Sequence, residues 1–364
     1  MSQAVRTAKQ IFLHTAKASS LFSGPLLRNW RNERLLFLCY HGISLDDEHF
    51  WNPGLYIDPA TFRARMQMLR DSQCNVLPLE EALERLNNRT LPPRSVVLTF
   101  DDGSYDMYKL AAPVLQEFQF PATVYLTTYY CRRQVPVFDT ICSYLIWKGR
   151  GKPVCLDGIL PEGGIVHLTG DAEWRRVFER IWSHVRETNM SALAKDELAE
   201  QLATRLGMDY ADIRRRRLLH IMSADEAAAI ACQGLSLQLH THRHITPRNR
   251  ELFEREIREN EAQIAEIAGG QEIPRHFCYP SGDYVPEFFG WLRDLGVRSA
   301  TTCDPGLVSR QTDPMQIPRF LDAPTVSEID IESWLAGFTP WLRWRTGRLN
   351  KMHNPYLLSD PRQP

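Results

Sequence analysis

Apolar and polar positions along the chain alternate between two rhythms. The runs LLFLCYHGI (35–43) and VVLTF (96–100) are short and almost unbroken in apolar character, as strands covered on both faces of a parallel sheet must be. FPATVYLTT (120–128) repeats the pattern, and at 235–239 Leu235, Leu237 and Leu239 alternate with Ser236 and Gln238, which predicts a strand with two unlike faces. Between these runs the period lengthens. Phe62, Met66 and Leu69 recur at helical intervals within 59–73, and 108–118, 224–234, 248–268 and 285–296 read as further helices. NVLPLEEALERL adds a short strand and a helix, RHFCYPSGDY a strand and a loop, and VRSATTC (297–303) a closing strand. Strand, helix and strand in succession predict an α/β fold on a parallel sheet.

The rhythm stops between about 131 and 219, where a hairpin-like stretch and two or three charged helices are expected, ending at the Arg214 to Arg217 run. That run reads as a solvated helix face, with contact to an anionic ligand or membrane as the alternative. Residues 3–32 suggest an amphipathic helix, a turn at Gly24-Pro25 and a basic segment, Arg28 to Arg34. No run reaches the roughly 18 uninterrupted apolar residues of a spanning helix. The C-terminal stretch sets Trp334, Trp341 and Trp344 among Arg343, Arg345, Arg348 and Lys351. This composition suits peripheral contact with a membrane face, whereas tryptophans packed on outer helices would be the structural alternative.

Composition narrows the function classes. In 364 residues, 43 Lys plus Arg face 44 Asp plus Glu, so bulk charge offers nothing to a nucleic acid. The eight cysteines lack any CxxC pair, which argues against a zinc ribbon or a disulfide framework and points to reduced thiols in the cytoplasm. The N-terminus is a poor signal peptide, because His14 and Lys17 interrupt its apolar run. The expected location is cytoplasmic, with peripheral attachment to the inner face of the membrane left open. Oligomeric state is not legible.

Candidate chemistry begins where the strand 96–100 runs into Asp101 and Asp102. Adjacent carboxylates at the edge of a low-dielectric core repel one another, and a metal ion would relieve the cost; Asp-Asp-Gly-Ser is also ordinary turn chemistry. The strand 235–239 ends in His240, Thr241, His242, Arg243 and His244. If it continues, the three histidines share a face; if the chain turns helically, His240 and His244 meet at i and i+4. Either way two imidazoles and one carboxylate can hold a divalent ion, zinc or else nickel, cobalt or iron. The second carboxylate is then free to take a proton from water, so the implied class is metal-assisted hydrolysis of an amide or ester.

TFDDGS at 99–104 with HTHRH at 240–244 closely resembles the polysaccharide deacetylases of carbohydrate esterase family 4, the NodB-homology fold, whose signatures are T-F-D-D-G and H-[ST]-x-x-H. FPATVYL and the YPSG loop at 279–282 fit the same pattern, and the likeness spans 35–130 and 220–322. It implies a distorted (β/α)7-type barrel, metal at its C-terminal mouth, with the helical insertion as one wall. The corresponding division of the chain is 1–34 as an N-terminal segment, 35–330 as the catalytic unit with 131–219 inserted, and 331–364 as a tail. Position by position, it implies Asp101 as general base and Asp102, His240 and His244 as metal ligands, with His242 only a neighbour. The loop at Tyr279, Pro280 and Gly282 would meet substrate, a backbone N–H near Tyr279 holding the oxyanion.

There are departures. The L-x-H segment that supplies the acid in many members is missing, and LCYHGI instead resembles a phrase of the circularly permuted subgroup, which makes His41 the acid. Ser281 stands where a second aromatic is usual. Arg319 would orient Asp101 or sit exposed on the rim, and Asp106 would hold an arginine or cap the next helix. The implied reaction removes an N-acetyl group from an amino sugar of a glycan or its precursor. Hydrolysis of another amide or imide, or glycan binding without turnover, are the rivals.

Overall fold

The computed structural model describes residues 3–270 and 273–345. Eight parallel strands form the main sheet: β1 Leu36–Tyr40, β2 Asn75–Val76, β3 Ser95–Phe100, β4 Thr123–Leu126, β5 Ser236–Leu239, β6 His276–Cys278, β7 Ser299–Thr301 and β8 Phe320–Leu321. Their order is β7-β6-β5-β4-β3-β1-β8, with β2 beside the start of β3. The sheet curls until its edges meet. Thr301 bridges in parallel to Ile317, and three residues later Phe320 pairs with Leu38 of β1, so the stretch 317–321 touches both edges and closes a distorted barrel.

Every residue of β1 and β3 is buried, as their unbroken apolar runs demand. Alternation sorts them. Leu36, Leu38 and Tyr40 with Val96, Leu98 and Phe100 face outward to the helix Pro59–Asp71, whose Phe62, Met66 and Leu69 are at most 1% exposed. Each such side chain gains about 1.5–3 kcal/mol on leaving water. Phe37 and Val97 face inward with Tyr125 and Cys278, against the helix Leu79–Asn87. Carried past the strand end, the same alternation turns Thr99 and Asp101 into the barrel.

Between β4 and β5 the chain leaves the sheet and builds a second core. It comprises an antiparallel hairpin (Pro153–Cys155 with Ile165–His167) and four helices: Phe138–Lys148, Asp171–Glu187, Ala192–Arg205 and Tyr210–Arg216. The count exceeds the expected two or three because Phe138–Lys148, mostly apolar, lacks the charged pattern that marks the others. Tyr144 and Lys148 both reach Asp47 at 2.6 Å, fastening this unit to the loop that follows β1. Arg214, Arg215 and Arg216 pair at the surface with Asp196, Asp212 and Asp46. Arg217 instead ends the helix at φ 55° and lies 3.9 Å over Tyr105.

The N-terminal helix Gln3–Ala18 docks on the helices Glu328–Leu335 and Phe338–Arg345 through Leu13, Ala16, Leu27, Ile329 and Phe338. The tryptophans divide. Trp334 is 3% exposed, its ring 4.4 Å from Phe320, so it belongs to the core and not to a surface anchor; Trp344 is half exposed. Arg348 and Lys351 lie outside the described residues. Among the described residues, no helix is long and apolar enough to cross a membrane.

Candidate metal centre and active site

The two carboxylates of the Asp-Asp pair have different surroundings. The Asp101 N–H donates to Tyr40 O at 3.0 Å, which holds its side chain inward, where it is 1% exposed. Arg319, itself buried, meets it with two parallel bonds, Nη1 to Oδ1 at 2.6 Å and Nη2 to Oδ2 at 2.7 Å. Burial alone would raise the Asp101 pKa, but the Arg319 charge and hydrogen bonds, with His41 and His240 nearby, outweigh it and hold the carboxyl well below the usual range. Arg319 is itself steered by Thr302 O at 3.0 Å and Thr99 Oγ1 at 3.2 Å. It is therefore a buried partner of Asp101 and not a rim arginine.

Asp102 turns the other way because its φ is 66°, a left-handed conformation that Asp tolerates better than most residues. Gly103 follows at φ 77°, and a Cβ there would come within 2.3 Å of Leu126 Cδ1. Both conformation and space require glycine. The reversed Asp102 Oδ1 lies 3.1 Å from His240 Nε2 and 3.1 Å from His244 Nε2. One donor atom from each residue fits within 4.8 Å of the others. His240 Nδ1 lies 2.9 Å from Cys278 O, where it donates its proton, so the Nε2 beside Asp102 is the atom the neutral imidazole would offer to an ion.

The histidine segment is neither strand nor helix. After β5, Thr241 and His244 adopt φ of 61° and 59°, and this double reversal brings His240 and His244 to one side. His242 points away, with Nδ1 2.8 Å from Thr128 Oγ1. The helix Arg250–Ile267 clamps the loop. Asn260 Oδ1 accepts the His240 N–H at 2.9 Å while its amide donates to Leu126 O and Thr128 Oγ1; the Glu256 backbone carbonyl accepts the His242 N–H at 3.1 Å and its carboxylate the Arg243 N–H at 2.8 Å. Reading the sequence for chemistry overlooked both residues. Their signal was present, since Glu256 and Asn260 are polar positions on the buried stripe Phe253, Ile257, Ile264.

His41 comes to the same mouth, its Nε2 3.5 Å from Asp101 Oδ2 and its Nδ1 buried without a hydrogen-bond partner among the described residues. Asp106 does not hold an arginine or cap a helix. Its Oδ1 accepts the Ile43 N–H at 2.8 Å and the Ser104 hydroxyl at 2.7 Å, tying down the segment just after His41. Burial, with Glu48 nearby, outweighs the hydrogen bonds from Ile43 and Ser104 and pushes its pKa up to about 7.

The expected oxyanion donors need correction. Tyr279 continues the β6 ladder, so its N–H is taken by Thr301 O at 3.2 Å; Gly282 donates to Tyr279 O, and Pro280 has no N–H. The Tyr279 ring is fully buried and its hydroxyl donates to Met315 O, so the side chain supports the loop and does not face substrate. Gly282, at φ 67°, packs against Cys303. The thiols of Cys39 and Cys278 lie 3.6 and 3.5 Å from Asp101 Oδ2. Burial raises the Cys39 pKa well above the ordinary thiol value, which makes it neutral lining and not a nucleophile.

Against known proteins, residues 88–300 match the polysaccharide deacetylase family model. The poly-beta-1,6-N-acetyl-D-glucosamine N-deacetylase of Escherichia coli K12 is 28% identical over 94 residues, covering 26% of this chain and 14% of its own. That of Staphylococcus aureus is 25% identical over 127 residues, covering 32% of this chain and 42% of its own. The matched stretches thus span less than half the length of either relative. In three dimensions, the Streptococcus pyogenes deacetylase PplD superposes with a TM-score of 0.54 at 18% identity, covering 82% of this chain and 96% of its own. IcaB from Ammonifex degensii gives 0.51 at 20% identity, with 83% and 97% covered. At these identities the structural likeness is one of fold.

Proposed function

The chain belongs to the polysaccharide deacetylase family, and from that premise we propose that it is a metal-dependent hydrolase releasing acetate from N-acetylated amino sugars of a glycan. The observation that carries this is the division of labour in the Asp-Asp pair. Asp102 meets two imidazoles in a donor set fit for a divalent ion, while Asp101 stands apart, ionised and buried beside Arg319. Nitrogen and oxygen donors in this number suit zinc, with nickel, cobalt or iron as competitors. When bound, the ion would polarise the acetamide carbonyl and lower the pKa of water.

The chain's own residues do the rest. Arg319 and the Asp101 N–H fix the carboxylate, and Asp101 takes the proton of the attacking water as the tetrahedral carbon forms. His41 gives a proton to the departing amine, and its closeness to Asp101 Oδ2 offers a short return path for the proton just removed. Asn260 and Glu256 keep the histidine loop rigid, so the donors need not reorganise. Residues 35–330 act as the catalytic unit with 131–219 as an inserted wall, and the scattered thiols favour a cytoplasmic location.

The test is acetate release from free, nucleotide-linked and lipid-linked N-acetylated sugars by the metal-loaded chain beside Asp101→Asn. The variant should keep its metal and lose about two or more orders of magnitude in rate. Metal-loaded protein that releases no acetate from any of them would move the assignment to another acyl group or to binding alone.

A further inference from the structure

Of twelve large apolar side chains exposed among the described residues, six lie at one end of the molecule: Val5, Ile11, Phe12, Leu21, Leu26 and Trp344, each more than half uncovered. The other six are scattered from Phe50 to Ile273. The elements that carry the cluster pack on one another. Phe12 and Phe22 lie 6.0 and 4.9 Å from the Phe338 ring, and Trp30 lies 6.0 Å from Trp344. The helix Gln3–Ala18 has two apolar stripes. Leu13 and Ala16 dock it; Val5, Ala8, Ile11 and Phe12, at i, i+3, i+6 and i+7, are exposed.

Charge identifies what would cover that second stripe. The first 32 residues contain Arg6, Lys9, Lys17, Arg28 and Arg31 and no acid, in a chain whose net charge is −1. Arg31 is buried as a strut, but Lys9, Lys17 and Arg28 are exposed, and Arg345 joins them from the last described helix. Asp330 and Glu332 pair with Lys9 and Lys17 and offset part of this excess. A second copy meeting this face across a two-fold axis would set like charges together.

We propose that this end of the molecule docks on an anionic lipid bilayer, its apolar side chains entering the interface and its cations meeting the headgroups. The orientation follows from Arg31, whose guanidinium donates to Ser95 O at the first residue of β3 and to Leu335 O. The docking face therefore sits under the N-terminal strand ends, and the Asp-His-His mouth at the opposite ends points away from the lipid. This holds whether or not the proposed reaction is correct.

The experiment is co-sedimentation of the full chain with vesicles of phosphatidylcholine, alone or mixed with phosphatidylglycerol. Binding is expected to the anionic vesicles only, to weaken with salt, and to fall by about tenfold or more in Ile11→Glu with Leu26→Glu. Circular dichroism checks that fold. Arg6→Gln with Arg28→Gln, which leaves the apolar contacts alone, should weaken binding as well. Absence of sedimentation, equal binding to both vesicles, or a solution dimer that the Ile11/Leu26 variant splits would overturn the proposal.

Discussion

Replacing Asp106 by Asn should make the protein progressively more stable, relative to wild type, as pH rises. Asp106 is 3% exposed and accepts two hydrogen bonds through Oδ1, which an amide oxygen can also accept. Its folded pKa is raised from the ordinary 3.8 to about 7, chiefly by burial. The sign follows: a raised carboxyl favours the folded state while protonated, so its contribution is complete below about pH 4 and is lost as pH rises through 7. A three-unit shift at 1.36 kcal/mol per unit gives about 4 kcal/mol across that window. Asn cannot ionise. The stability difference between variant and wild type should therefore grow by about 4 kcal/mol between about pH 4 and pH 8, whatever constant offset the substitution adds. Urea unfolding of both proteins at several pH values measures it. Parallel stability curves, differing in slope by less than about 1 kcal/mol over that span, would refute the assignment of Asp106 as an uncompensated buried acid.

The remaining expectations concern the site and its supports. His240→Ala should abolish stoichiometric metal binding, read by native mass spectrometry; wild-type loading would remove His240 from the donor set. Arg319→Met leaves the Asp101 carboxylate buried without its partner and should cost about 3–5 kcal/mol in urea unfolding, a loss under about 1 kcal/mol contradicting the buried pairing. His220 is buried with its pKa lowered to about 4. A depressed histidine stabilises the neutral fold above about pH 6.5 and loses that contribution as pH falls through 4, so His220→Gln should remove about 3 kcal/mol of acid sensitivity. Acid unfolding that is the same in both proteins would exclude this.

Local pattern carried much of the fold. Unbroken apolar runs marked β1 and β3, strict alternation marked β5, and Asp102, His240 and His244, a set that could hold a metal ion, stand at the strand ends where two short motifs placed them. What escaped depends on distance along the chain. Local pattern near Asp101 says nothing of its counter-charge, 218 positions away, and only the family resemblance offered Arg319 for that task, beside an exposed rim position. Arg65, on the buried stripe of Phe62, Met66 and Leu69, was a visible anomaly; it marks a buried contact with Asp322, which also receives the Tyr40 hydroxyl. The Tyr279 N–H was misjudged because motif position does not reveal where a strand's ladder stops. For the tryptophans composition left packing and projection both open, and Trp334 packs.

The closure of the barrel by 317–321 also orders events in time. A chain emerging from the ribosome has exposed Asp101, Asp102, His240 and His244 before Arg319 appears. Without that residue the Asp101 carboxylate would have to be buried without its guanidinium, at a cost in free energy or as the neutral acid. The segment that closes the barrel thus also carries the guanidinium that balances the buried Asp101 charge, so closure and charge balance depend on the same short stretch.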